Sequence, residues 1–363
     1  MLATRTVTAE TMTIPEVHLV AGGLPEAVRL APVATALSAA GLLRPVLIDC
    51  GANRDVPGVL GAYGLVPELS LPYAEGDLAG PTGSLDDVWA ARMPAAVLVA
   101  GDSTTGLAAA MAASWRHIPV VHLDAGRRSA DLDAHEPDRH LLAQLASMHL
   151  VTSPYAALNL LDERVPAADI LITGSTMVDA AVIARRGVPR AGGREQRILV
   201  VTRERHADRV ARVLDAIRRL VRAYPGVRVT VSGHPAGRAR TAARLAGVER
   251  ITLAHELPFR RLVRLLGEAA VVLTDPGGIE EMAPAFGVPA LVLDDPTTTV
   301  IVREVSRLLD SPVRRDAMVA AGNPYGDGHA AVRVAQATAA VLGLAERPEP
   351  MPGPARSLRP AVS

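Results

Sequence analysis

GDSTTGLAAAMAASWRHIPVVHLDAGRRS, residues 101–129, decides the fold of this chain. The apolar run AAVLVA (95–100) ends at Gly101-Asp102, an Ala-rich helical pattern follows, and a second run, IPVVHL (118–123), ends at Asp124. Strand, helix, strand in this spacing is one parallel βαβ unit. Each strand closes on an acid. In parallel α/β sheets the carboxyl ends of the strands are where ligands bind. Two carboxylates at neighbouring strand tips therefore point to chemistry. The competing reading of each acid alone is a helix cap or a salt bridge.

The same pattern repeats on both sides. Strands are expected at 17–23, 45–51, 95–102, 118–125, 148–154 and 170–174, then at 197–202, 227–234, 249–254, 269–275 and 288–295. Runs rich in Val, Ile and Leu, alternating with helical stretches, belong to sheets covered on both faces. Eleven strands are too many for one nucleotide-binding sheet. The break is placed at GVPRAGGREQ (187–196), rich in Gly, Pro and charge. The fold class is therefore α/β, with two Rossmann-like doubly wound domains, 1–185 and 186–345, and a cleft between them. The helix AAVRVAQATAAVLGLA (330–345) is expected to cross back over the junction, and the Pro-rich residues 346–363 to form a disordered tail.

Composition narrows the function classes. Lys plus Arg and Asp plus Glu are each 38, so no global field draws nucleic acid or an anionic membrane. Every basic residue other than His is arginine, which excludes lysine bases and Schiff bases. No apolar run reaches the ~20 residues of a membrane span. The polar N-terminus and the single cysteine, Cys50, lead us to expect a cytoplasmic protein. With one Cys and scattered His there is no metal set, and no cofactor is expected.

Four further segments carry candidate chemistry. AGGLPEAVRLAP (21–32) joins a strand to a helix through Gly-Gly and Pro25, leaving N–H groups that can hold an anion. His135-Glu136-Pro137-Asp138-Arg139 gathers four ionisable groups at a helix start. VSGHPAG (231–237) puts His234 at a strand tip, where imidazole can exchange protons near neutrality. LTDPGGIEEMAPAFGVPALVL (273–293) places Gly277-Gly278 before a helix bearing Glu280 and Glu281, a phosphate-facing turn with acids in reach of ribose hydroxyls.

Together PEAVRLAP, residues 101–129, EPDR, ITGSTMVDA, DPGGIEEMAPAFGVPALVL and NPYGDGHA (323–330) resemble the non-hydrolysing UDP-N-acetylglucosamine 2-epimerases, in the same order from about residue 15 to 343. The resemblance implies a GT-B-like fold with the nucleotide sugar in the interdomain cleft. It also implies a reaction in which the C2 proton is removed, UDP leaves to give a 2-acetamidoglucal, and UDP re-adds with a proton on the other face. On this basis Asp102, Asp124 and His234 are the proton-transfer groups, joined by Glu136, with His135 and Asp138 as alternatives to it. Arg29, Arg128, Arg139, Gly277, Gly278 and Glu280 fall on the UDP side. The UDP-sugar is the implied partner, and the family is commonly homodimeric.

The departures from the family pattern are specific. Leu24 replaces a phosphate-binding Arg, and Asp124 replaces a Glu, about 1.5 Å shorter in reach. The Glu-Glu-x-Asn-Arg motif reads His135 to Arg139, Pro276 replaces a Ser, and Met282 replaces a ribose-binding Glu. The Gly-His-Arg-Arg-Glu segment reads Thr202 to His206, and Asp295-Pro296-Thr297-Thr298-Thr299 runs directly into VREVSRLLD (302–310) where the family has a Thr-Glu-Arg-Pro-Glu loop. Two other readings stay open at this point: a non-catalytic or re-purposed nucleotide-sugar binder, and a GT-B-type glycosyltransferase.

Overall fold

The first seven strands alternate with helices in a single parallel sheet, because each apolar run needs cover on both faces. The computed structural model describes residues 14–51, 55–74, 76–128, 135–186, 188, 196–202, 206–233, 237–254, 257–275 and 277–353. In chain order the first sheet comprises β1 (Glu16–Ala21), α1 (Leu24–Ala40), β2 (Arg44–Gly51), α2 (Asp55–Ala62), β3 (Leu69–Tyr73), α3 (Ala79–Ala91) and β4 (Ala96–Ala100). It continues through α4 (Thr104–Trp115), β5 (Val120–Leu123), α5 (Glu136–Leu145), β6 (Met148–Val151), α6 (Pro154–Asp162), β7 (Ile170–Ile172) and α7 (Thr176–Arg185). The strand order is β3-β2-β1-β4-β5-β6-β7. Order reverses between β1 and β4, the switch point at which ligands gather in such sheets.

The second sheet contains β8 (Gln196–Val201), α8 (Ala207–Ala223), β9 (Val227–Ser232), α9 (Arg238–Leu245), β10 (Ile251–Ala254), α10 (Phe259–Glu268), β11 (Val271–Thr274), α11 (Ile279–Met282) and β12 (Ala290–Val292). Its order is β10-β9-β8-β11-β12, again all parallel, with the switch point between β8 and β11. There the Thr202 hydroxyl donates to Asp275 Oδ2 at 2.7 Å, tying the two strand tips together. Three helices complete the chain: α12 (Thr298–Asp310), α13 (Pro312–Ala320) and α14 (Ala330–Val341). This is the two-domain, Rossmann-like GT-B-type arrangement.

Two details differ from the sequence reading, an added strand and an ordered stretch of the tail. A twelfth strand, β3, comes from LSLPY; it pairs at the edge of the first sheet, is only partly buried, and contains Pro72, which an edge tolerates. Helix α14 packs on α1 and α7 of the first domain, and Asp179 of α7 accepts from Ala331 N at 2.9 Å and Ala330 N at 3.2 Å, capping it. The tail expected to be disordered is corrected for residues 346–353: the Arg347 guanidinium donates to the carbonyls of Ala168 and Ile170, and Met351 N donates to Ile172 O at 2.7 Å. The free edge of β7 offers carbonyls that composition alone does not reveal. Residues 354–363 lie outside the described residues.

One apolar core runs through both domains, from Leu19, Leu30 and Leu37 to Phe259, Met282 and Phe286. Each fully buried side chain of this size contributes about 1.5–3 kcal/mol. Across the junction the rings of Tyr63 and Phe259 stand 6.1 Å apart, centroid to centroid. The site therefore sits over a packed interface. No helix among the described residues is long and apolar enough to cross a membrane.

Candidate active site

Both opening acids lie at strand tips, and each is held by an arginine from a different helix. After β4, Gly101 turns with a left-handed φ of 75°, and Asp102 follows. Ser103 takes the N-cap of α4, accepting from Gly106 N at 3.0 Å. Asp102 is thereby free of capping. Its Oδ2 accepts from Arg139 Nε at 2.7 Å and lies 2.5 Å from Arg139 Nη2. Arg139 Nη1 donates to Glu136 Oε2 at 2.5 Å, one turn earlier on α5. Among the described residues, Arg139 thus links Glu136 to Asp102, both carboxylates sharing its guanidinium. His135 is paired with Asp138 at 3.9 Å.

Asp124 stands beyond β5 with its own left-handed φ of 61°. Its side chain is 4% exposed, and that of Arg29 from α1 is 6% exposed, with Arg29 Nη2 at 2.9 Å from Asp124 Oδ2. The contact is a close ion pair without hydrogen-bond alignment, since neither Asp124 oxygen nor Arg29 Nε has an aligned partner among the described residues. Arg127 adds a second cation at 3.7 Å. Burial opposes ionisation of Asp124, yet Arg29, then Arg127, hold its carboxyl below the usual range. Burial likewise opposes the Arg29 charge, and Asp124, Glu281 and Glu26 outweigh it. Arg29, Asp124, Thr173, Ser175 and Thr176 line a cavity that opens here.

The second domain contributes Glu281, one of the two acids that follow the Gly-Gly turn; the resemblance put only its neighbour Glu280 on the UDP side. Glu281 is buried, accepts a short hydrogen bond from the Ser175 hydroxyl at the N-cap of α7, and is pushed up to about 7 by burial and the Asp124 charge. A carboxyl that carries a proton near neutrality thus stands in the field of one that does not, a division of labour typical of acid–base sites. Asn323 Nδ2 donates to Glu281 O at 2.7 Å, and Ser175 N donates to Tyr325 O at 2.8 Å, so the NPYGDGHA segment binds both sides.

Two of the candidates for the UDP side have partners within the chain. Arg128 is bidentate to Glu163, at 2.5 and 2.7 Å, and donates to Arg127 O at 2.5 Å. This ion pair ties the loop after β5 to the C-terminal end of α6. At the Gly-Gly turn, Gly277 N and Gly278 N each donate to Glu280 at 2.8 Å. The side chain expected to meet ribose occupies the N–H groups expected to meet phosphate. Gly278 has φ 118°, and a Cβ there would stand 2.8 Å from Met177 Cε. Gly22 is equally obligatory, because a Cβ there would meet Thr105 Oγ1 at 2.4 Å. His234 and Pro276 lie outside the described residues.

A domain arrangement with carboxylates and arginines at the strand tips invites comparison with known proteins. The family model for UDP-N-acetylglucosamine 2-epimerase matches residues 78–339. A relative named Probable UDP-N-acetylglucosamine 2-epimerase from Ralstonia nicotianae is 31% identical, over 89% of this chain and 98% of that protein. The Escherichia coli K12 UDP-N-acetylglucosamine 2-epimerase is 30% identical with the same coverage, 89% and 98%. The Neisseria meningitidis UDP-GlcNAc 2-epimerase solved with UDP-GlcNAc bound superposes with a TM-score of 0.79 at 27% identity, covering 87% of this chain and 97% of the other. With the family model spanning most of its length, this chain belongs to the UDP-N-acetylglucosamine 2-epimerase family.

Proposed function

We propose that the chain epimerises a UDP-N-acetylhexosamine at C2, interconverting UDP-GlcNAc and UDP-ManNAc. The observation that carries this reading is the pair of strand-tip acids, Asp102 and Asp124, each paired with a buried arginine from another helix. An ionised carboxylate abstracts the C2 proton while the C1–O bond to UDP breaks, giving the 2-acetamidoglucal and UDP. Return of UDP to C1, with a proton delivered to the opposite face of C2, completes the inversion. Asp102, Asp124, Glu136 and His234 are the proposed proton-transfer groups. Arg29 and Arg139 supply positive charge beside them. No metal or cofactor enters these steps.

Incubation with UDP-GlcNAc, followed by chromatography of the nucleotide sugars, tests the proposal. UDP-ManNAc at equilibrium supports it, and unchanged UDP-GlcNAc at stoichiometric enzyme overturns it. A second reading, a binder without turnover, draws on Glu280 occupying the Gly277 and Gly278 N–H groups. Calorimetric UDP binding without any product would favour it.

The protein is further proposed to work in the cytoplasm as a homodimer. In support, α5 and α6 leave Leu141, Tyr155, Leu158 and Leu161 exposed. Sedimentation at monomer mass across micromolar concentrations would refute the dimer.

A further inference from the structure

Directly behind the two acids lies a residue that the reaction as written does not use. His122 belongs to β5, two residues before Asp124, and is 3% exposed. Its Nε2 lies 2.6 Å from Gly101 O. A carbonyl only accepts, so Nε2 carries the hydrogen and donates. Nδ1 is then the bare nitrogen of a neutral ring, and it is buried with no hydrogen-bond partner among the described residues. Burial disfavours the charged ring and lowers its pKa, in keeping with that tautomer.

The carbonyl it holds is not an ordinary one. Gly101 has φ 75° and directly precedes Asp102. Its N–H already donates to Leu123 O at 2.9 Å, so β5 grips Gly101 at both its donor and its acceptor. On the far side, Ser103 is fixed as the cap of α4. Asp102 therefore hangs between two anchored neighbours, with its carboxylate set against Arg139. As a core filler, an imidazole with one bare buried nitrogen is a poor choice beside a leucine. Its use is the bond it makes.

We infer that His122 is a positioning residue: its Nε2–H bond to Gly101 fixes the peptide that presents Asp102 and sets the spacing of Asp102 from Asp124. The kinetic part of this inference rests on the epimerase reading, and the structural part does not. A neighbour supplies the control. His149 of β6 is paired in register with His122, is equally buried, and also has an unpartnered Nδ1.

The test compares His122→Gln, His122→Asn, His122→Ala and His149→Gln. Gln places an amide N–H near the imidazole Nε2 position, whereas Asn falls short. The first readout is the Arg139 Nε–H resonance in ¹H–¹⁵N spectra, assigned with Arg139→Lys, which reports the bond to Asp102 whether or not substrate turns over. The second is kcat against KM for UDP-GlcNAc. Expected are a retained resonance and kcat within about fivefold for Gln. For Asn and Ala the resonance is lost and kcat falls about 100-fold, with KM within about threefold, the scale set by ~1 Å misplacement of a reacting group. His149→Gln should leave both readouts unchanged. The inference is overturned if Asn and Ala keep the resonance, if Gln loses as much as Ala, or if His149→Gln does the same damage. Should the wild type not turn over UDP-GlcNAc, the epimerase reading fails and the Arg139 resonance decides the positioning role alone.

Discussion

Replacing Arg29 by Met isolates the strongest electrostatic element of the site. Arg29 and Asp124 meet at 2.9 Å with side chains 6% and 4% exposed. Unit charges about 4 Å apart interact by about 4 kcal/mol at an effective dielectric constant near 20. Breaking a buried pair by removing one partner costs about 3–5 kcal/mol, because the other charge stays buried. Against a typical stability of about 5–15 kcal/mol, the loss is large but survivable. Its pH dependence follows from the direction of the shift. In the wild type the Asp124 carboxyl is held below its usual range, so pairing stabilises the fold above about pH 4 and fades as pH falls through the lowered pKa. In Arg29→Met burial acts with far less opposition, the carboxyl moves up, and the folded variant takes up a proton that the unfolded chain releases. The deficit should therefore be about 3–5 kcal/mol at pH 7 and should narrow toward pH 4, measured by urea unfolding followed by circular dichroism. Adding Asp124→Asn removes the stranded charge and should return about 2 kcal/mol at pH 7. A deficit below about 1 kcal/mol at pH 7, or no recovery in the double variant, would refute the reasoning.

Glu280→Gln removes the negative charge from the Gly277–Gly278 turn and should tighten UDP binding about tenfold by calorimetry, since a charged hydrogen-bond acceptor competing with the diphosphate is gone; weaker binding counts against the competition. Glu281, raised to about 7, stabilises the fold below its unfolded value and loses that contribution as pH rises toward 7. Urea midpoints of the wild type should accordingly fall between about pH 4.5 and 7 relative to Glu281→Gln, and parallel curves would contradict the buried proton. Deleting residues 346–363 removes the Arg347 and Met351 bonds to the β7 edge and should lower stability by about 1–3 kcal/mol, with an unchanged midpoint as the opposing result.

The strands with continuous apolar runs were legible because burial on both faces leaves a strong local pattern. LSLPY was not, since a partly buried edge strand with a proline carries little of it. Asp102 was legible from its place after AAVLVAG, whereas its partner Arg139 comes from the next helix but one, and Arg29 reaches Asp124 from the first helix. Such pairings depend on which strand tips the topology brings together, and no local spacing encodes that. The Gly-Gly turn shows the converse. Its sequence announced N–H groups open to an anion, but in the structure Glu280, two or three residues away in the same segment, accepts from both. Glu281 was legible only as an acid after the Gly-Gly turn; its significance comes from Ser175, 106 residues earlier, and from the Asp124 charge. The tail misled because Pro-rich composition is silent about an unpaired sheet edge nearby.

The central claim is that the strand-tip acids move the C2 proton. The most direct measurement is ¹H NMR of UDP-GlcNAc with the purified protein in D₂O, for the wild type and for Asp124→Asn. The account predicts deuterium at C2 in both the gluco and manno sugars with the wild type, and a loss of exchange by about 100-fold or more in the variant. Absence of C2 deuterium in the wild type, or undiminished exchange in Asp124→Asn, would contradict it.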